Sequence, residues 1–119
     1  MLNKLHRLNK TKEIELVMKK GRAYYAPSLM MKILANNLGL TRFTVIVSNK
    51  VSKKATQRNL IKRRLREIIR LDLSKLDIGA DAIILASPKI IDSRGKTKKY
   101  SEIETEVRGV FKKSGLWKK

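Results

Sequence analysis

Apolar residues along this chain switch between a helical and a strand period. From Gln57 onward, Leu60, Ile61, Leu65, Ile68, Ile69 and Leu71 fall on one broad side at about 100° per residue, which predicts an amphipathic helix. Arg58, Lys62, Arg66 and Arg70 recur every four residues on the other side, flanked by Asn59 and Arg63. Arg64 lies nearer the apolar border, where its stem can follow apolar surface while its head reaches water. Residues 42–48 alternate instead, with Phe43, Val45 and Val47 on one side and Thr44, Ile46 and Ser48 on the other, which predicts a strand. The run Asp81 to Ala86 is nearly all apolar and reads as an interior strand. Leu29 to Leu34 reads as a further strand, although its methionines and leucines also suit a helix.

Two shorter periodic stretches complete the pattern. Ile14, Val17 and Met18 give one face to a first helix, with Thr11 as N-cap, Glu13 and Glu15 early, Lys19 and Lys20 late, and Gly21 as the stop. Ile103, Val107, Val110 and Phe111 give a last helix, opened by a Ser101-x-x-Glu104 capping box and ended at Gly115. Between these elements, residues 22–28 read as a connection containing Pro27, Asn36 to Gly39 as a turn, and residues 73–77 as an exit before a turn at Gly79. Residues 88–99 form a loop carrying Arg94, Lys96, Lys98 and Lys99, which reads equally as a solvated loop or as a second polyanion contact. Trp117 either packs back on the core or frays with the terminus.

The predicted order is helix, two or three strands, helix, strand, helix. It implies an α+β two-layer sandwich of about four mixed strands and three helices, α-β-β-β-α-β-α or close to it. The chain has 119 residues, enough for one core but not two, so residues 1–119 are expected to form a single domain.

Charge changes the picture most. The formal net charge is +19. Between Lys50 and Arg70, Lys50, Lys53, Lys54, Arg58, Lys62, Arg63, Arg64, Arg66 and Arg70 face a single acid, Glu67. A merely solvated helix usually mixes signs, because like charges four residues apart repel. An unbroken cationic row is compensated by a polyanion, and its arginines suit phosphate oxygens and base faces. Self-repulsion at this net charge implies a free protein that is marginally stable at low salt and is tightened by phosphate, sulfate or RNA.

Several functions are disfavoured. Without cysteine there is neither a disulfide nor a thiolate metal site, and the single histidine, His6, rules out a histidine-rich one. No apolar run approaches a membrane span, and residues 1–8 carry charges where a signal peptide needs an apolar block, so a cytoplasmic protein is expected. The scattered acids form no evident two-metal pair, and there is no phosphate-binding glycine loop or nucleophile motif. These residues describe a binder.

Val47-Ser48-x-Lys50 followed by Arg58-Asn59-x-Ile61-Lys62-Arg63-x-x-Arg66-Glu67 resembles the signature of the bacterial ribonuclease P protein component. That family is the small basic subunit that works with a catalytic RNA to remove the 5′ leader of precursor tRNA. Arg7-Leu8 and Val17 fit the family's opening. The resemblance implies that the RNA partner holds magnesium and breaks the phosphodiester bond, while the protein binds no cofactor and needs no obligate protein partner. It also implies a left-handed β-α-β crossover, against the general right-handed preference. RNA contacts are expected at Lys50, Lys53, Lys54, Arg58, Asn59, Lys62, Arg63, Arg66 and Arg70, with Ile61 and Leu65 in the core. The first helix of the family carries an aromatic and a second apolar residue facing a leader-binding cleft. Those positions hold Ile14 and Met18 here, so base stacking either weakens or moves to Tyr24 or Tyr25. Thr44 replaces the family's usual glycine and Asn49 its second lysine. A structural RNA-binding protein of ribosomal type, a DNA-coating protein and a self-sufficient nuclease are the rival readings.

Overall fold

The computed structural model describes residues 6–77 and 79–118. The opening residues of the basic lead-in, 1 to 5, lie outside that range. Three helices and four strands follow one another as α1 (Thr11–Lys20), β1 (Arg22–Tyr25), β2 (Leu29–Ala35), β3 (Arg42–Ile46), α2 (Ala55–Asp72), β4 (Ala80–Ala86) and α3 (Tyr100–Lys113). The strand order is β1-β2-β4-β3. β1 and β4 are each antiparallel to β2, and β3 is parallel to β4. The last strand in sequence is therefore interior, which explains its continuous apolar run: Ala80 to Ile84 are all buried.

The alternation of β3 divides the molecule. Phe43, Val45 and Val47 face the main core, where Ile61, Leu65, Ile68 and Ile69 of α2 and Ile103, Val107, Val110 and Phe111 of α3 cover Met31, Ala82 and Ile84 of the sheet. Phe43 and Phe111 meet edge to face with ring centroids 5.9 Å apart. On the opposite face α1 packs Val17 against Leu8 and Ile83, with Ile14 and Met18 beside Leu34, Ile46 and Leu85. The described lead-in is bound to the β3 edge. The Leu8 amide donates to the Phe43 carbonyl at 2.7 Å, and His6 Nδ1 lies 2.8 Å from the Thr41 carbonyl.

Four expectations need correction. Residues 22–25 form an edge strand rather than a connection, because Arg22 to Tyr25 pair with Ile33 to Met30. Lys10, not Thr11, is the N-cap of α1, and no side chain caps it. The Ser101 capping box does not form. Tyr100 packs on the core and begins α3, so Ser101 lies within the first turn, where its carbonyl accepts from Thr105 Oγ1, while Glu104 pairs with Arg108. Leu71 is half exposed, because the buried face of α2 passes through Leu65, Ile68, Ile69 and Asp72 instead.

Gly21 stops α1 in an extended conformation, not a left-handed one. A Cβ there would stand 2.4 Å from the Val17 carbonyl oxygen, so the close approach itself demands glycine. Gly115 ends α3 at φ +79°, where a side chain is strained. Trp117 packs back, with the ammonium groups of Lys75 and Lys112 at 5.7 and 5.4 Å from its ring centroid.

Candidate nucleic-acid interface

Helix α2 is held so that one flank stays open. Its apolar side is buried, and its last turn is tied to α3 by the buried Asp72, which accepts from Arg108 Nε and Nη2 at 3.0 and 3.1 Å. That pairing raises the pKa of the Arg108 guanidinium. On the open flank, Asn59, Lys62, Arg63, Arg66 and Glu67 surround a depression of about 410 Å³. Arg66 also reaches a smaller depression of about 120 Å³ at the β3 edge, shared with Arg7, Asn9 and Thr44. The usual glycine position, Thr44, thus fills part of a basic notch.

The other expected cations divide by what they touch. Lys50, Lys53 and Lys54 are exposed on the turn leading into α2. Arg58 turns back on that segment and donates to the Ser52 carbonyl at 2.9 Å, while the Ser52 hydroxyl donates to Gln57 Oε1 and accepts from the Lys54 amide. Arg58 therefore shapes the approach as well as carrying charge. Arg70, one turn beyond the depression, forms a fork with Glu67, donating from Nε and Nη2 at 3.1 and 2.5 Å. The pair raises the Arg70 pKa and lowers that of Glu67. Arg64 does not merely reach water: it donates to the Lys98 carbonyl at 2.8 Å.

Three of the four cleft candidates, Ile14, Met18 and Tyr25, lie on the other face of the sheet. Registry places Tyr25, Met30, Leu85 and Ile46 in one row across all four strands, on the side that α1 covers. Tyr25 is 65 % exposed at the end of that row. Beside it, Pro27, Met30, Leu85, Ala86 and Lys89 line a depression of about 460 Å³. Ile14 and Met18 are half-buried against Leu85, Ile46 and Leu34. Tyr24 pairs with Met31 and packs on the main core, so the sheet separates it from the other three. Lys32, unremarked in the sequence, also faces α1 and donates to the Met18 carbonyl at 2.5 Å. Its signal was a lone cation in an apolar strand.

Among the described residues no three His, Cys, Asp or Glu side chains converge as metal ligands. Five of the ten acids pair with cations at seams between or within elements: Asp81 and Glu13 with Arg42, Asp72 and Glu104 with Arg108, and Glu106 with Lys98. Among the described residues no helix is long and apolar enough to cross a membrane.

Comparison with known proteins agrees with this geometry. The sequence model of the family described as Ribonuclease P matches residues 2–115. The ribonuclease P protein component of Clostridium kluyveri is 34 % identical over 116 residues, covering 96 % of this chain and 98 % of the relative. That of Fusobacterium nucleatum is 36 % identical over 112 residues, covering 94 % and 99 %. Among solved structures, the RNase P protein of Staphylococcus aureus superposes with a TM-score of 0.80 at 24 % identity, covering 96 % of this chain and 99 % of that one. The RNase P protein from Thermotoga maritima also gives 0.80, at 22 % identity, covering 90 % and 96 %. With a fold shared with those structures and a family signature spread along the exposed flank of α2, this chain belongs to the ribonuclease P protein family.

Proposed function

We propose that this chain is the protein subunit of ribonuclease P, gripping the catalytic RNA through α2 and guiding the 5′ leader of precursor tRNA along the opposite face of the sheet. The observation that carries the reading is the depression bounded by Asn59, Lys62, Arg63 and Arg66, four residues of the family signature converging on one open surface. The cations neutralise phosphates and so confer salt-dependent affinity, whereas the Asn59 amide adds hydrogen bonds of defined geometry. Lys50 and Lys53 add exposed cations at the entrance to α2, and Lys54 stands beside them on the flank facing residues 95–97.

The leader lies over the row Tyr25–Met30–Leu85–Ile46, between α1 and the strand ends. Ile14 and Met18 offer it an apolar wall but no ring, and the exposed Tyr25 supplies the stacking surface. Lys32 in the sheet and Lys89 in the turn after β4 offer cations beside that path. The chemistry belongs to the RNA partner, whose magnesium ions would supply Lewis-acid catalysis of the hydrolysis. This chain's contribution is positioning and charge neutralisation, in the cytoplasm where precursor tRNA is made.

The test is cleavage of precursor tRNA at low magnesium by the ribonuclease P RNA of the same organism, with and without this protein. Restored cleavage at the correct 5′ position, lost on Lys62→Ala/Arg66→Ala, is the expected result. Cleavage by the protein without that RNA would make it a nuclease in its own right. RNA binding without rescue would make it a structural RNA-binding protein.

A further inference from the structure

We propose that the basic loop 91–99 is a second phosphate-binding element, which clamps the catalytic RNA against the flank of α2 opposite the Asn59–Arg66 depression. The inference rests on the family reading above, and it concerns residues outside the signature.

The loop is a built hairpin. Ile91 and Thr97 form a bridge, and the Asp92 amide donates to the Lys96 carbonyl at 2.7 Å. Asp92 Oδ1 accepts from the amides of Arg94 and Lys96 at 2.9 and 3.0 Å, and Gly95 turns the chain at φ +78°. The hairpin is then fastened to α2. Gln57 Nε2 donates to the Gly95 carbonyl and to Thr97 Oγ1 at 3.1 and 3.2 Å, and Arg64 holds the Lys98 carbonyl. Lys98 itself turns inward to Ser28 and Glu106.

These tethers set Lys96 across a groove from Lys54. The groove encloses about 390 Å³ between Lys54, Thr56, Gln57 and Leu60 on one side and Lys96 and Thr97 on the other, and none of its lining residues is acidic. Arg94 and Lys99 stand exposed at the hairpin's rim. A solvated loop relieves repulsion by moving its cations apart. This one is pinned at several points with Lys96 facing Lys54 and Arg94 paired to Asp92, and an anion between the two lysines stabilises that placement. Gln57 and Arg64 spend their side chains on main-chain acceptors of the hairpin, so part of α2's polar surface serves to hold this arrangement.

Position selects the partner. The groove lies on the α2 side of the sheet, the same layer as the Asn59–Arg66 depression, whereas α1 and the Tyr25–Ile46 row occupy the opposite face. Helix α2 therefore carries a basic groove on each flank, one along residues 54–60 and one along residues 59–67, separated across the helix by about 10–12 Å. Two backbone segments of the RNA that α2 grips fit that spacing, and a leader held on the far face does not.

The experiment measures affinity of the full-length protein for the ribonuclease P RNA of its own organism across a salt series, for wild type and Arg94→Gln/Lys96→Gln. Both substitutions keep the backbone hydrogen bonds of the hairpin. Loss of the Lys96 contact alone is expected to lower the slope of log K against log salt by about 0.7 to 0.9, and Arg94, paired to Asp92 at 3.2 Å, adds less than a second full contact. Affinity of the assembled particle for precursor tRNA should be unchanged. Gln57→Ala, which keeps every charge but frees the hairpin, should weaken RNA binding while leaving the sulfate-bound fold intact by circular dichroism. An unchanged slope and affinity in the double variant would overturn the proposal, as would a loss confined to precursor binding by the assembled particle. Failure of the wild type to bind that RNA at all would instead sink the family-based function.

Discussion

Replacing Lys62 and Arg66 together by alanine removes two cations from one wall of the α2 depression and leaves the buried face of the helix intact. If each contacts one phosphate, the salt slope of RNA binding falls by about 1.4 to 1.8. Between about 50 and about 200 mM salt, the advantage of wild type over the variant should therefore shrink roughly tenfold. The assay is filter or fluorescence titration of the catalytic RNA at several salt concentrations, with sulfate-stabilised folding of the variant checked beforehand. Arg70 provides an internal comparison. Its guanidinium is already forked to Glu67, so Arg70→Ala should change the slope less than Lys62→Ala does. Parallel lines for wild type and the Lys62/Arg66 double variant would refute the phosphate role. An Arg70 effect as large as that of Lys62 would refute the idea that the depression, rather than the whole helix, is the binding unit.

Three further outcomes follow from other parts of the molecule. Arg42→Met should destabilise the fold by about 3 kcal/mol in urea titrations, the low end for breaking a buried pair since Glu13 stays partly solvated; a change below about 1 kcal/mol would show that the Asp81 charge is tolerated alone. Sulfate should raise the melting temperature of the free protein, with about 2.7 kcal/mol of stabilisation at a hundredfold excess over its Kd, and equal midpoints with and without it would contradict the self-repulsion argument. Asp92 has its pKa lowered, chiefly by the Lys96 amide, so it helps hold the hairpin above the ordinary carboxylate range and ceases to as pH falls through its depressed folded value. The amide shifts of Arg94 and Lys96 should report that transition, and Asp92→Asn should remove it; titration persisting in the variant would assign it elsewhere.

Much of this was legible because the strong signals were long and periodic. The α2 face, the β3 alternation and the buried run of β4 each leave a repeated pattern, and Asn59, Lys62, Arg63 and Arg66 converge because helical spacing requires it. The misses share a cause, which is that a partner distant in sequence decided them. Arg22–Tyr25 has no alternation of its own and becomes a strand only by pairing with β2. Ser101 offers a good capping sequence, but packing of Tyr100 starts the helix earlier. Tyr24 and Tyr25 are adjacent and chemically alike; only the register against Met31 and Met30 sends one to the core and leaves the other open. The loop 88–99 was ambiguous for the same reason, since its order depends on Gln57 and Arg64 some forty residues away.

How a chain with a net charge of +19 keeps a defined core is answered by where its few acids stand. Asp81 and Glu13 converge on Arg42, joining α1 to β3 and β4, and raise the arginine's pKa above its ordinary value, through Asp81 first. Asp72 joins α2 to α3 through Arg108. Glu106 accepts from the Ser28 amide and hydroxyl and from Lys98, joining α3 to the β1–β2 turn and to the basic hairpin. These acids occupy seams between elements, where low exposure strengthens their attraction to nearby cations. Among the residues lining the outer depression of α2, Glu67 is the only acid, and it is forked to Arg70. Such segregation concentrates repulsion on one surface while the seams stay electrically satisfied. Covering that surface with phosphate should therefore stabilise the fold, which is what the sulfate melting experiment measures.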